Sequence, residues 1–91
     1  MRIVWSRDAQ DDLDRLYAFL APKSQRAADA VVVALLDAPT LLLDMPRMGT
    51  RVDNFLKEEV RRVIVREYEL RYRIEGEIIR ILRIFHTREY R

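Results

Sequence analysis

The sequence lacks cysteine entirely and contains a single histidine, His86. Without thiols the chain can form neither a disulfide nor a thiolate-bound metal site, so a reducing compartment is its expected location. A metal site built around His86 would need several carboxylates close to it, and none cluster there in the sequence. We therefore expect neither a metal nor another cofactor.

The sequence also has no apolar run long enough to cross a membrane. Its longest apolar-rich stretch, residues 27–43, is interrupted by Asp29, Asp37 and Pro39, whereas a spanning helix needs about 20 predominantly apolar residues. Residues 1–5 have neither the apolar core nor the small-residue cleavage site of a signal peptide. These observations predict a cytoplasmic protein with no membrane partner.

Lysine is rare as well. Only Lys23 and Lys57 occur among the 17 basic residues, and the others are arginine. Residues 1–59 carry a net charge of −2, whereas residues 60–91, with 9 arginines and 5 glutamates, carry +4. Arginine suits bidentate contacts with carboxylate or phosphate, although a genome that favours arginine codons would produce the same bias. The overall net charge of +2 argues against general nucleic-acid binding.

The remaining composition is globular. The chain has 91 residues, of which 49% are hydrophobic and 35% charged, and this predicts one folded domain over residues 1–91. A domain of this size leaves much of its surface exposed. We therefore expect a partner to cover part of it.

The first residues predict a short strand followed by an amphipathic helix. Residues 2–5 form the expected strand, and Ser6 is a suitable N-cap for the helix. The helix is expected to end before Pro22, because the residue that precedes a proline is disfavoured in the α region. The charged residues between its apolar positions are predicted to form a solvated face: Arg7, Asp11, Asp12, Asp14 and Arg15.

A second helix is predicted to begin after Ser24. The short connection at residues 21–23 favours an antiparallel helical hairpin. Pro39 lies within this second helix, where it supplies no backbone N–H and its ring crowds the preceding turn, so we expect a kink or break there. Pro46 and Gly49 are expected to close the helical half.

The second half predicts a sheet. Residues 50–59 are polar and expected to form a loop. Segments rich in valine, isoleucine and tyrosine then predict three strands: Val60–Arg66, Glu69–Glu75 and Ile78–His86. Gly76, between the last two, can supply the positive φ of a tight hairpin turn.

The alternation of side chains assigns faces to these strands. In the middle strand Leu70, Tyr72 and Ile74 share one face, and the glutamates and arginines between them share the other. The last strand is apolar on both faces, which is typical of a central strand; one face holds Ile79, Ile81 and Phe85 and the other Ile78, Leu82 and Ile84. The predicted fold class is α+β, with a helical hairpin on a mainly antiparallel sheet in the order β-α-α-β-β-β.

Taken together, these residues resemble the RelE/ParE toxin superfamily, and within it the ParE branch. The resemblance covers nearly the whole chain. The matching segments, in chain order, are Val4-Trp5-Ser6 with Ala9, Asp12 and Leu13; Pro46-Arg47-Met48-Gly49; Arg61, Tyr68 and Tyr72-Arg73-Ile74-Glu75-Gly76; and residues 81–86 followed by Arg88.

The resemblance implies a cytoplasmic, growth-inhibiting toxin of a type II toxin–antitoxin system, of the kind linked to plasmid stabilisation. Such a toxin is neutralised by a cognate ParD-like antitoxin of the ribbon-helix-helix class. In the ParE branch the implied target is DNA gyrase, whereas in the RelE branch it is messenger RNA cut on the ribosome. A protein of this fold that is not toxic and serves as a co-repressor subunit remains a third alternative.

Particular residues follow from each alternative. Under a RelE-like ribonuclease, Arg61 and Arg83 would neutralise phosphate, His86 would transfer the proton and Tyr90 would act as an acid or stacking group. Arg83 and His86 point to opposite faces if the strand is regular between them, which argues against a joint site. Under a binding toxin, the expected target contacts are Arg61, Arg83, His86 and Arg88, and the expected antitoxin contacts are Leu13, Leu16, Tyr17, Leu20 and Arg73.

Structural roles explain the same residues. Trp5, Tyr68 and Tyr72 are also typical of core and sheet packing. His86 at a strand end can bond a backbone carbonyl, and Arg61 can pair with Glu58 or Glu59.

Overall fold

The computed structural model describes residues 1–52 and 57–89. Its elements are β1 (Arg2–Trp5), α1 (Arg7–Leu20), α2 (Gln25–Asp44), β2 (Thr50–Arg51), β3 (Glu59–Val65), β4 (Tyr68–Glu75) and β5 (Ile78–His86). The five strands form one sheet in the order β1-β5-β4-β3-β2. Among these described strands only the β1–β5 pairing is parallel. The predicted α+β class and element order are confirmed, and β2 is a short strand inside the stretch that was predicted to be a loop.

Both helices begin where the sequence indicated. The Ser6 hydroxyl accepts a hydrogen bond from the backbone N–H of Ala9 at 3.0 Å, and Ser24 caps α2 in the same way. The backbone of Ser6 also donates to the Ile81 carbonyl at 2.9 Å, and its hydroxyl donates to the Leu82 carbonyl at 2.9 Å. The N-terminus of α1 is thereby fixed to the middle of β5.

Of the kink or break expected at Pro39, the break is wrong, because α2 runs without interruption from Gln25 to Asp44, and the kink stays a prediction. Pro39 is buried on the core-facing side of the helix, between Leu35 and Leu42, which are 0% and 1% exposed. Packing of this apolar side against the sheet offsets the hydrogen bond that proline cannot donate. Tertiary contacts therefore outweigh the local preference.

The core lies between the helical hairpin and one face of the sheet, here called the helical face. Ala9 and Leu16 of α1 and Leu35 and Leu42 of α2 pack against six strand residues: Tyr68, Leu70, Tyr72, Ile79, Ile81 and Ile84. Trp5 is half-buried and packs against this cluster, as predicted. The other side of the sheet carries no helix in the described part of the chain and is called the open face.

The predicted faces of β5 are wrong in its second half. Tyr72 is opposite Ile81 but Arg71 is opposite Arg83, so Leu82 is an extra residue in a β-bulge. A one-residue shift exchanges the two faces of a strand. Ile84 therefore joins Ile79 and Ile81 on the helical face, and Phe85 turns to the open face. The prediction that β5 is central is confirmed, since it lies between β1 and β4.

Two tight hairpins connect the last three strands. Gly76 adopts a φ of +56° in the β4–β5 turn, as its position predicted. Strand β3 ends at Val65, one residue earlier than predicted, because Arg66 adopts the same φ of +56° and begins the β3–β4 turn. No helix in the described residues is both long and apolar enough to span a bilayer.

Candidate functional site

A groove of about 420 Å³ lies between α1 and the turn that follows β5. Its floor is apolar and consists of Leu16, Phe19, Tyr68 and Ile84, and polar residues surround that floor: Asp12, Arg15, His86, Arg88 and Glu89. Phe19 is the most exposed of the floor residues, at 63%. The Lys23 ammonium lies 3.7 Å from the centre of its ring. This α1–β5 groove therefore combines an accessible apolar surface with a charged rim.

Asp12 forms one wall of the groove and is only 2% exposed. The prediction that it belongs to a solvated face is wrong. Its carboxylate accepts hydrogen bonds from the Arg83 side chain, from Arg15 Nη2 at 2.9 Å and from the Ile84 backbone N–H at 2.8 Å. Burial on its own would raise the pKa of Asp12, but the bonds from Arg83, Ile84 and Arg15 outweigh it and the pKa lies below its ordinary value. Asp12 is therefore held as a carboxylate.

His86 lies on the rim of the groove. Its ring packs edge-on against Tyr68, with a centroid distance of 5.2 Å, and its Nδ1 accepts a hydrogen bond from the Arg88 backbone N–H at 3.1 Å. The expected bond to a backbone carbonyl is thus replaced by one from a backbone amide. Nε2 is 3.8 Å from the Glu67 carboxylate, whose side chain is 74% exposed. Both nitrogens of His86 therefore lie close to surface groups rather than in a closed site.

Five arginines occupy the open face and are called the arginine face: Arg62, Arg71, Arg73, Arg80 and Arg83. Arg62, Arg71 and Arg83 are direct register partners across β3, β4 and β5. Arg73 and Arg80 form a second row across β4 and β5. The bulge at Leu82 is the reason that Arg83 belongs to the first row, because without it Arg83 would point to the helical face.

Carboxylates lie between these arginines and stabilise the rows. Glu69, which is 0% exposed, pairs with Arg62 at 3.2 Å and with Arg71 at 2.8 Å. Glu75 pairs with both Arg73 and Arg80. The bonds from Arg80 and Arg73 outweigh the effect of burial and lower the pKa of Glu75. Each of these carboxylates is shared by two guanidinium groups, so the rows keep an excess of positive charge.

Phe85 adds an aromatic ring to the arginine face. The guanidinium carbons of Arg83 and Arg71 lie 4.9 and 5.4 Å from its ring centre. Cation–π contacts of this kind hold the two guanidinium planes in place.

Arg61 has a different environment, on the helical face beside Pro46–Gly49. It donates to the Gly49 carbonyl at 2.7 Å and pairs with Glu59 at 2.9 Å. Its side chain is only 18% exposed. The predicted pairing with Glu59 is confirmed, and Arg61 acts here as a support for the segment between α2 and β2.

Tyr72 supports the same segment. Its hydroxyl donates to the Pro46 carbonyl at 2.7 Å and accepts from the Gly49 backbone N–H at 3.1 Å. A Cβ atom on Gly49 would lie 2.7 Å from both the Arg62 carbonyl oxygen and the Tyr72 hydroxyl. The Pro-x-x-Gly pattern therefore reflects a close backbone approach to a buried tyrosine.

The residues proposed for ribonuclease chemistry are not brought together. Arg61 and His86 both belong to the helical face, but on strands separated by β4, whereas Arg83 starts from the open face. The register between Arg83 and His86 is regular, which confirms that the two side chains leave opposite faces. Tyr90 lies outside the described residues. Within residues 1–52 and 57–89 no three acidic or histidine side chains are grouped as a metal site would require.

The residues proposed for antitoxin contact are divided between several places. Leu16 lies in the α1–β5 groove, next to the proposed target contacts His86 and Arg88. Leu13 and Leu20 are half-buried against the core. Arg73 is on the arginine face, where it pairs with Glu75 and Glu58.

Tyr17, also proposed to contact the antitoxin, joins the two helices. Its hydroxyl donates to Asp29 at 3.0 Å, and this bond raises the pKa of Tyr17. Phe19 on the groove floor and Glu69 between the face arginines are among the residues that the sequence did not indicate as part of a site. An apolar residue next to the end of a helix and an acidic residue between arginines are weak signals in a sequence.

Comparisons with known proteins agree with this architecture. A family model described as "ParE toxin of type II toxin-antitoxin system, parDE" matches residues 3–90. Among solved structures, a chain from the "Chromosomal ParDE TA system from P. aeruginosa" is similar in fold, with a TM-score of 0.76 and 24% sequence identity over 94% of this chain and 95% of that chain. The search of curated proteins gave no match.

Proposed function

The chain belongs to the family of ParE toxins of type II toxin–antitoxin systems, and from this membership we propose that it blocks DNA gyrase in the cytoplasm. We further propose that a ParD-like antitoxin of the ribbon-helix-helix class neutralises it. The gyrase target is what the resemblance to the ParE branch implies. The arrangement of the candidate residues supports a toxin that acts by binding rather than by catalysis.

The observation that carries this proposal is the dispersal of Arg61, Arg83 and His86. Cleavage of RNA by its own 2′-hydroxyl needs a base, an acid and a phosphate-binding cation around one phosphate. Arg61 is instead bonded to the backbone of Gly49, and Arg83 is bonded to Asp12. A binding surface has no such requirement for convergence.

The α1–β5 groove supports the antitoxin part of the proposal. An amphipathic helix binds a groove through a few apolar anchors, and the floor formed by Leu16, Phe19, Tyr68 and Ile84 suits such anchors. The rim residues Arg15 and Arg88 suit acidic residues beside them. Occupation of this groove by the antitoxin would cover His86 and Arg88, which are proposed target contacts, so one surface would account for both binding and neutralisation.

A supercoiling assay with purified gyrase tests the target. We expect the chain to inhibit supercoiling and to cause cleaved DNA to accumulate. Arg88→Ala, a change beside the groove floor, should raise the concentration needed for half inhibition by about tenfold, the loss expected when an arginine that carries binding energy is truncated. Arg26→Ala on the outer side of α2 is the matched control and should leave inhibition unchanged.

Two results would contradict the gyrase proposal. One is normal supercoiling at a large excess of the chain. The other is induction in cells that produces defined cuts in messenger RNA, lost in His86→Ala, while DNA stays intact; this would establish the ribonuclease alternative. Normal growth after induction would instead favour the co-repressor alternative.

The antitoxin proposal is tested with the protein encoded in the neighbouring reading frame. Phe19→Asp places a charge on the apolar floor and should weaken its binding by at least about tenfold, measured by titration calorimetry. Val33→Asp is the matched control, because Val33 is similarly exposed, at 55%, but lies on α2 away from the groove. Equal losses of affinity in the two variants would exclude the groove as the antitoxin site.

A further inference from the structure

We infer that the arginine face binds the phosphate backbone of DNA. The inference rests on the proposed function only for the choice of DNA as the nucleic acid. Its basis is a grid of guanidinium groups on the open face, which adjoins the α1–β5 groove where Arg83 contacts Asp12.

The backbone positions of the face arginines are regularly spaced. Neighbouring strands are about 4.8 Å apart, so the Cα atoms of Arg62, Arg71 and Arg83 form a line across three strands. Arg73 and Arg80 form a second line, two residues further along β4, which is about 6.6 Å away. A repeating row of charges is what a nucleic-acid strand presents, because every nucleotide carries a phosphate. An extended peptide would need an acidic residue at every second position to match it.

The local charge of the grid is positive. Glu69 is shared by Arg62 and Arg71, Glu75 by Arg73 and Arg80, and Asp12 by Arg83 and Arg15. Glu58, which is 48% exposed, is a fourth carboxylate and contacts Arg73. In these pairs the five face arginines therefore contact four carboxylates, one of which, Asp12, is also bound by Arg15 of α1. Side-chain exposure of the five face arginines ranges from 22% for Arg71 to 46% for Arg62, so they are accessible to a ligand.

The placement of the acidic residues explains why the net charge of the sequence does not indicate this basic surface. The outer sides of α1 and α2 expose six aspartates: Asp8, Asp11, Asp14, Asp29, Asp37 and Asp44. Their charge offsets that of the sheet and leaves a net charge of only +2. Because these aspartates lie on the helices and the arginines on the opposite side of the sheet, the molecule has one acidic side and one basic side. The net charge of +2 therefore does not describe the local charge of the open face.

The arginines are also held in place before any ligand arrives. Glu69 fixes Arg62 and Arg71, and Phe85 packs against Arg71 and Arg83. A fixed guanidinium group loses less side-chain entropy on binding phosphate than a free one. This preorganisation distinguishes the arginine face from a set of mobile surface charges.

The test uses the full chain and a fluorescein-labelled DNA duplex of about 20 base pairs, followed by anisotropy over a range of KCl concentrations. The double variant Arg62→Gln with Arg80→Gln removes two face charges and leaves Arg71 on Glu69 and Arg73 on Glu75. Each lost phosphate contact should reduce the slope of log K against log salt concentration by about 0.9, so the double variant should lose about 1.8.

Two further variants serve as controls. Arg7→Gln with Arg26→Gln removes the same charge from the helices and should retain the slope of the unmodified chain. Arg62→Lys with Arg80→Lys keeps the face charge, and it should restore most of the slope if the glutamine variant fails by loss of charge rather than by misfolding.

The inference is overturned if the unmodified chain does not bind the duplex at low salt, or if both glutamine variants show the same slope. It is also overturned if poly-glutamate displaces the duplex at equal or lower charge concentration, since the face would then select an acidic protein segment. Because no gyrase is present, these outcomes leave the proposed target unaffected. If the chain did not inhibit supercoiling, the gyrase proposal would be contradicted, but the anisotropy result would still decide whether the arginine face binds DNA.

Discussion

Asp12 and Arg83 form a two-point contact that joins α1 to β5. Arg83 Nε donates to Asp12 Oδ2 at 2.9 Å, and Arg83 Nη2 donates to Oδ1 at 3.1 Å. Strand β1 pairs with β5 only as far as Ile81, so the next part of that edge of β5 lacks a strand partner in the described chain. The Asp12 carboxylate provides one by accepting from the Ile84 backbone N–H. A side chain of α1 thus continues the edge of the sheet where β1 stops.

The substitution Asp12→Asn should destabilise the fold. The asparagine side chain would retain the shape of the aspartate but lose the charge that holds Arg83, Arg15 and the Ile84 amide. Loss of one member of a buried, hydrogen-bonded ion pair costs about 3 kcal/mol. The free energy of unfolding, measured with urea, should fall by that amount. Asp14→Asn, on the exposed side of the same helix, should change it by less than about 0.5 kcal/mol; an equal effect in the two variants would contradict the role assigned to Asp12.

The Asp12 contact should also make stability depend on pH. Because the pKa of Asp12 is lower in the folded protein than the ordinary value of 3.8, its contribution is complete above pH 3.8 and is lost as the pH falls through the folded-state pKa. The stability difference between the unmodified chain and Asp12→Asn should therefore be constant near neutrality and narrow below pH 3.8. Urea titrations at a series of pH values measure it. A difference that stayed constant far into the acid range would mean that Asp12 does not titrate with folding.

Features that depend on neighbouring residues were predictable from the sequence, whereas contacts between residues distant in the chain were not. The caps at Ser6 and Ser24 and the turn at Gly76 depend on neighbouring residues, and the sequence predicted them. Asp12 lies among charged residues, although its spacing from Ala9 and Leu16 places it on the buried side of α1. Its partners Arg83 and Ile84 are 71 and 72 positions away, and no local pattern indicates which residues a buried carboxylate would bind.

The bulge at Leu82 is a second case of this kind. Neither glycine nor proline marks it, and the apolar residues of β5 are compatible with either register. Its position depends on how β4 and the N-terminus of α1 contact the strand. For the candidate site, the sequence proposed His86 and Arg88, which lie in one groove. It also predicted that Arg83 and His86 leave opposite faces, but it could not place Arg61, which is on another strand, relative to either residue.

Tyr72→Phe tests the support of the Pro46–Gly49 segment. Removal of the hydroxyl leaves the Gly49 N–H and the Pro46 carbonyl without this partner. An unsatisfied buried group costs about 1–3 kcal/mol, and thermal unfolding should show a loss in that range. Tyr17→Phe removes a hydroxyl that bonds exposed side chains and should cost less than about 0.5 kcal/mol. Equal melting temperatures for the Tyr72→Phe variant and the unmodified chain would show that the segment holds without this hydroxyl.

The two hairpin turns provide the last prediction, because Arg66 and Gly76 share a φ of +56°. A side chain in this left-handed region costs about 1–2 kcal/mol, and asparagine tolerates it better than arginine. Arg66→Asn should therefore raise the free energy of unfolding by about 0.5–1 kcal/mol, or several degrees of melting temperature. Gly76→Ala should lower it by about 1 kcal/mol for backbone reasons alone, because a Cβ there meets no atom within 4 Å. The melting temperatures are compared at high salt, because salt screens the attraction between Arg66 and the nearby Asp29 and Asp37 that Arg66→Asn removes. A melting temperature that does not rise in Arg66→Asn under these conditions would mean that the turn is not strained at this residue.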